Sequence, residues 1–299
     1  MGIRKQGYRH WEGEYTGHAM RWWTVARQAL RAVIYSKMRL AGLLLFIMVV
    51  WAFYFFYGIF WFFGGASAGD ELFFNISNCR DADCTLRQNL YDTVRAWQIL
   101  FVPIFIGMVA APLVSNDLRS NAPYIYLSKP LLRRDYILGK LAAVGVMALP
   151  VTVFPNLFVW LMAMGSRDKF TKIDHPYEIL FEMIYVQLII LVVISLLFLA
   201  ASSLTKKWWV AFAGITGGYY LLFIISNMLQ DILARPPARQ AREWLLASPA
   251  TNIINFAKTI YERPPGPPSW EVSLLLLILL GGGALAIFLW KMLSLEVAE

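Results

Sequence analysis

Six stretches of the chain contain no Asp, Glu, Lys or Arg and are dominated by apolar residues: 40–69, 96–116, 141–166, 183–205, 208–230 and 272–290. At a rise of about 1.5 Å per residue, each can cross a hydrocarbon core about 30 Å thick. No water reaches the backbone there, so each stretch must close its own hydrogen bonds, and each predicts a helix. The predicted spans are 42–63, 97–115, 139–162, 183–204, 208–228 and 272–291. They make residues 40–291 a six-span transmembrane domain, and the fold class an all-α polytopic membrane protein. The charge-free stretch 244–257 is too short to span and predicts a re-entrant or interfacial helix. Ala66-Ser67-Ala68 has the look of a cleavage site. The apolar run before it is longer than the core of a signal peptide, so a retained span is expected.

Four non-spanning features stand out. Residues 1–39 form a basic N-terminus, and within it 21–39 has helical periodicity. Trp22, Val25, Ala26, Ala29 and Val33 share one face, with Thr24, Arg27, Gln28 and Arg31 opposite. That pattern predicts an interfacial amphipathic helix whose Arg27 and Arg31 meet lipid headgroups. The loop 117–136 alternates apolar and basic residues, as a docking surface or a bilayer-packed segment does. The segment 229–271 is too long for a structureless loop. Within it, 238–247 is helix-compatible and Ser248-Pro249 reads as the start of a short helix over 249–262. The Pro-rich run 264–268 is a stiff spacer, and Trp270 suits an interface anchor. Finally, Pro103 and Pro112 lie in span two and Pro150 and Pro155 in span three, each a site of helix kinking.

Composition narrows the class. Of 299 residues, 59% are hydrophobic and 15% charged, outside the range of a soluble domain. The net charge of +8 is not a nucleic-acid signal, because of where it sits. Six spans put both termini on one side. That side carries 16 basic and 6 acidic residues, against 11 and 13 on the other. The positive side is expected to be cytoplasmic, at a plasma membrane of bacterial inner-membrane type. The only cysteines, Cys79 and Cys84, then face an oxidising exterior, where a disulfide or two free thiols both remain open.

Recognisable catalytic chemistry is missing. No G-x-x-x-x-G-K-[ST] and no H-E-x-x-H occurs, and His10, His18 and His175 have no metal-ligand spacing. No catalytic residue, metal site or cofactor is therefore assigned to this chain. No ionisable residue falls in the middle of a span, which speaks against a proton-coupled transporter. Asn156, Gln187, Ser195, Thr216 and Asn227 are expected to make interhelical hydrogen bonds, and Glu182 to be solvated.

The run Asp117 to Lys140 resembles the cytoplasmic loop of permease subunits in the type-2 exporter branch of ATP-binding-cassette (ABC) transporters. Asp117, Arg119, Pro130, Arg133, Arg134, Gly139 and Lys140 carry the likeness. Ser248-Pro249-Ala250-Thr251 resembles the family's outer Ser-Pro element, and the order of elements matches along nearly the whole chain. Asn121-Ala122 departs from the family's Gly-Thr-like turn. The resemblance implies a permease subunit, with ATP and Mg bound and hydrolysed on a separate cytoplasmic ABC ATPase. It also implies a second permease copy or paralogue as dimer partner. Asp117, Leu118, Arg119, Tyr124 and Tyr126 are the expected ATPase-coupling residues. Arg133, Arg134 and Lys140, with Arg27 and Arg31, are the expected headgroup and topology residues. The resemblance implies export, and the uncharged spans point to a hydrophobic or amphipathic substrate. The alternatives are a non-transporting subunit of an ABC-type complex for envelope assembly or motility, and a membrane-embedded lipid-modifying enzyme.

Overall fold

The computed structural model describes residues 20–69, 82–122, 133–165, 175–233, 248–261 and 269–294. Within these, residues 57–69, 82, 85, 133, 229–233 and 293 are described by their backbone alone. The described residues form helices and no strand: α1 (Arg21–Ile34), α2 (Lys37–Gly69), α3 (Ala82–Thr93), α4 (Ile99–Arg119) and α5 (Arg133–Ala148). They continue with α6 (Val153–Gly165), α7 (Pro176–Leu204), α8 (Trp208–Leu233), α9 (Pro249–Ile260) and α10 (Trp270–Leu293). A π-turn, Val94–Gln98, joins α3 to α4 without interruption. Five helical stretches are long and apolar enough to cross a membrane, and α5 with α6 makes a sixth, bent by 41°.

Span two is longer than the charge-free window predicts. It runs as one helix over Leu86–Arg119, so residues 86–95 continue the helix and are not a loop. Counting charges ends a span at the first ion. Here Arg95, the ion that closes the window, is exposed on the helix, while one turn and more beyond it Arg87 is 9% exposed and pairs with Glu182 of α7 at 2.9 Å and 3.1 Å. Glu182, expected in solvent, is therefore part of the helix packing.

Cross-helix bonds fix the helix directions. Arg87–Glu182, Gln98–Gln187 and Ser115–Ser202 follow in the same order along both helices, so span two and α7 run parallel. Thr93–Asn156 and Asp117–Lys140 run in opposite order, so span three is antiparallel to both. Span two and α7 are the centre of the bundle, with 78% and 67% of their apolar windows buried, against 17% for α2 and α8. The outward faces of α2 (Leu44, Leu45, Met48) and α8 (Leu221, Ile224, Met228) stay uncovered. A bilayer rather than water is the solvent such faces need.

The four span prolines differ in effect. Pro103 and Pro112 sit inside an unbroken α4. Pro112 lacks a donor, and just beyond it the Ser202 hydroxyl donates to Ala111 O (2.5 Å) and accepts from Ser115 N (2.9 Å). A hydroxyl from α7 is thus inserted between Ala111 O and Ser115 N, in the turn that follows Pro112, and ties the two central helices together. Pro150 lies in the break between α5 and α6, and Pro155 is in the first turn of α6, where its missing donor costs nothing.

The expected short helix after Ser248 forms over Pro249–Ile260, with Ser248 Oγ accepting from Thr251 N at 3.4 Å. Its face of Ala250, Ile253, Phe256 and Ala257 is buried against α10, α8, α7 and α3. It enters the bundle instead of lying on its surface. The segments 238–247 and 262–268 lie outside the described residues.

Candidate functional site at the basic end of the bundle

The ends of α1, α4, α5, α7 and α10 that carry the basic excess meet on one side. Helix α1 has the two faces its sequence predicts: Val25, Ala26, Ala29 and Val33 are buried, while Arg27 and Arg31 are exposed. The buried face packs on α5, not into lipid alone. Gly139 makes this approach possible. A Cβ at that position would stand 2.7 Å from Trp22 O and 2.7 Å from Val25 Cβ, and a backbone oxygen cannot yield.

Helix α4 ends at Ser120, whose backbone N–H donates to Asn116 O at 3.0 Å. The next residue, Asn121, has φ of 55°, the left-handed conformation that closes many helices. Asn tolerates it better than other residues with a side chain, so Asn121 does here what Gly does elsewhere.

Between α4 and α5 lies a compact ionic joint. Lys140 Nζ sits 2.6 Å from Asp117 Oδ2 and donates to Leu113 O at 2.9 Å. The Tyr136 hydroxyl donates to the same carboxylate oxygen at 2.8 Å, and its ring lies 5.3 Å from the ammonium. The Leu113 carbonyl oxygen is a second acceptor for the ammonium, so the cation is held from two sides. Lys140 is thus buried and not among headgroups, as its place in the sequence suggested. A long lysine stem at the start of a membrane helix can turn inward when a carboxylate one helix away neutralises it.

The remaining expected residues separate into groups. Arg119 and Arg134 are exposed at this end. Leu118 is buried in the helix packing, so its side chain is not offered to a partner. Asp117 is partly exposed but turned into the joint. Tyr124 and Tyr126 lie outside the described residues, as does the side chain of Arg133. Cys84 is disulfide-bonded, and the one other cysteine in the chain, Cys79, lies outside the described residues.

Polar groups also line the interior toward the opposite end. Gln187 donates to Gln98 at 2.9 Å and Thr93 to Asn156 at 2.9 Å, interhelical pairs of the expected kind. Asn227 bonds to Phe223 O of its own helix, and Ser195 Oγ and Thr216 Oγ1 have no hydrogen-bond partner among the described residues. Burial pushes the Tyr261 phenol upward, reinforced by Glu182 and Tyr54, so it stays neutral. Between α7 and α10 runs an apolar groove of about 470 Å³, lined by Leu188, Val192, Leu196, Leu277, Ile278 and Gly281 among others.

The sequence missed the Lys140 joint because no pattern on one helix announces a partner on the next. The signal present was the acid–base spacing of Asp117 and Lys140 across a short connection. Residues 23–290 match a family model described as ABC-2 family transporter protein. No curated protein matches the chain.

Proposed function

The chain belongs to the ABC-2 family transporter proteins, and from that premise we propose that it is the permease subunit of an ATP-driven exporter. It would work as a dimer with a second copy or a paralogue, in a bacterial-type inner membrane with both termini in the cytoplasm. ATP and Mg would be held by a separate cytoplasmic ATPase. The observation that carries the reading is the ionic joint. A push on the link between α4 and α5 reaches both spans at once, because Lys140 ties Asp117 and Leu113 of α4 to α5.

In this reading Arg119 contacts the ATPase, with Tyr124 and Tyr126 beside it. Asp117 and Leu118 hold the base of the loop rigid. Arg27, Arg31, Arg133 and Arg134 face phosphate headgroups or set topology. Charged groups at such a contact give register, and aromatic groups give affinity. The apolar groove between α7 and α10 supports a hydrophobic or amphipathic substrate.

The test is co-expression with an ABC ATPase encoded beside this chain, followed by affinity purification through the permease and an ATPase assay. Arg119→Glu should lose most of the co-purified ATPase and its stimulated activity, while Arg134→Gln keeps both. Full retention by Arg119→Glu would remove Arg119 from the interface. Failure of any such ATPase to co-purify with the unmodified chain would overturn the function itself.

A further inference from the structure

Two helical irregularities lie side by side in this bundle. One is the π-turn Val94–Gln98 in span two; the other is the break between α5 and α6 in span three. At the break, Phe154 N reaches back five residues to Leu149 O at 3.1 Å. That shift releases Pro150 O, and Pro150 itself has no donor to give. The Trp51 indole of α2 fills the vacancy, donating to Pro150 O at 3.0 Å.

The same polar residues clamp both irregularities. Gln98, the last residue of the π-turn, extends its amide nitrogen to Thr152 O and to the Tyr54 hydroxyl, each at 3.4 Å. Its carbonyl accepts from Gln187 at 2.9 Å. Thr93, just before the π-turn, donates to Asn156, whose amide donates to Thr152 O, both at 2.9 Å. Helices α2, α6, α7 and span two therefore meet at one level through side chains, not through unbroken backbone ladders. The Gln187 carbonyl and the Tyr261 hydroxyl in this region are buried without a hydrogen-bond partner among the described residues. Long, bent or unmade bonds on both sides of a helix break are where a bundle yields first.

We propose that the π-turn of span two and the break of span three form a single hinge, clamped by Gln98, about which the far segments of these two spans bend on the basic half of the bundle. Rigid segments lie on either side: the Lys140 joint with the Ser115–Ser202 contact below, and the Arg87–Glu182 pair with α9 above. Paired irregularities let two neighbouring spans bend together without tearing the contacts between them. This inference stands apart from the ATPase reading, since its test uses no nucleotide and no partner.

The experiment is distance measurement between spin labels in the purified full chain, reconstituted in nanodiscs. Labels at Leu138→Cys and Leu161→Cys, both exposed, straddle the break. Labels at Leu138→Cys and Leu204→Cys both lie below it. Thiol labelling spares Cys84, which is already disulfide-bonded. Gln98→Leu should broaden and shift the straddling distribution. Pro150→Ala, which restores a donor, should narrow it and lengthen its mean by about 2 Å as the bend straightens, from about 1.5 Å of rise per residue on each side. The pair below the break should not change in either variant. An unchanged straddling distribution in both variants would overturn the hinge. So would an equal change in the lower pair, because the halves would then not move as bodies.

Discussion

Lys140→Met removes a buried cation and leaves its partner behind. The ammonium is 2.6 Å from Asp117, and the lysine side chain is 6% exposed against 19% for the aspartate. Removing one member of a buried ion pair costs about 3–5 kcal/mol, mostly through the stranded charge. Asp117 keeps some access to solvent and the Tyr136 hydroxyl at 2.8 Å. Lys140→Met should therefore fall at or below the low end, about 2–3 kcal/mol. Asp117→Asn leaves the more enclosed ammonium without its counter-charge, facing only neutral acceptors, the amide oxygen and Leu113 O, and should cost the full range, about 3–5 kcal/mol. The double variant carries neither charge. It should be less destabilised than the sum of the two by about 2 kcal/mol, a coupling typical of residues in direct contact. Equilibrium unfolding in mixed micelles, run as a double-mutant cycle, reads these differences directly. Additivity to within about 0.5 kcal/mol would refute the joint, and with it the rigid link between α4 and α5.

Two further outcomes follow from close contacts and from charge. Gly107→Val should destabilise the bundle by about 1–3 kcal/mol, the usual range for overpacking, because a Cβ there would meet Phe198 at 2.6 Å and Phe212 at 2.8 Å. Phe198→Leu should recover part of the loss in the same unfolding assay, whereas no recovery would place the strain elsewhere. A single cysteine at Ser120, exposed beside Arg119, should react with an impermeant maleimide only after the membrane is opened, in a background with Cys79 and Cys84 replaced. Labelling in intact cells would reverse the orientation and remove the basic end from the cytoplasm.

An all-α fold of long apolar helices was legible in the sequence, since a hydrocarbon core accepts long stretches only if they are free of unpaired charge and bonded within themselves. The two faces of α1 and the start of α9 at Ser248-Pro249 were legible for local reasons, helical periodicity in one case and capping chemistry in the other. The helix ends and the ions near them were not. Arg87 lies 95 residues from the Glu182 that lets it be buried, and Lys140 turns inward only because the end of α4 brings Asp117 beside it. Pro150 and Pro155 look alike in the sequence, yet one lies at a bend and the other in a first helical turn. Gly139 is an ordinary glycine until α1 lies against it. Local pattern fixes which segments leave water, because that choice depends on each segment alone. Which ions, kinks and glycines matter depends on partners from distant helices, and only the tertiary structure supplies those.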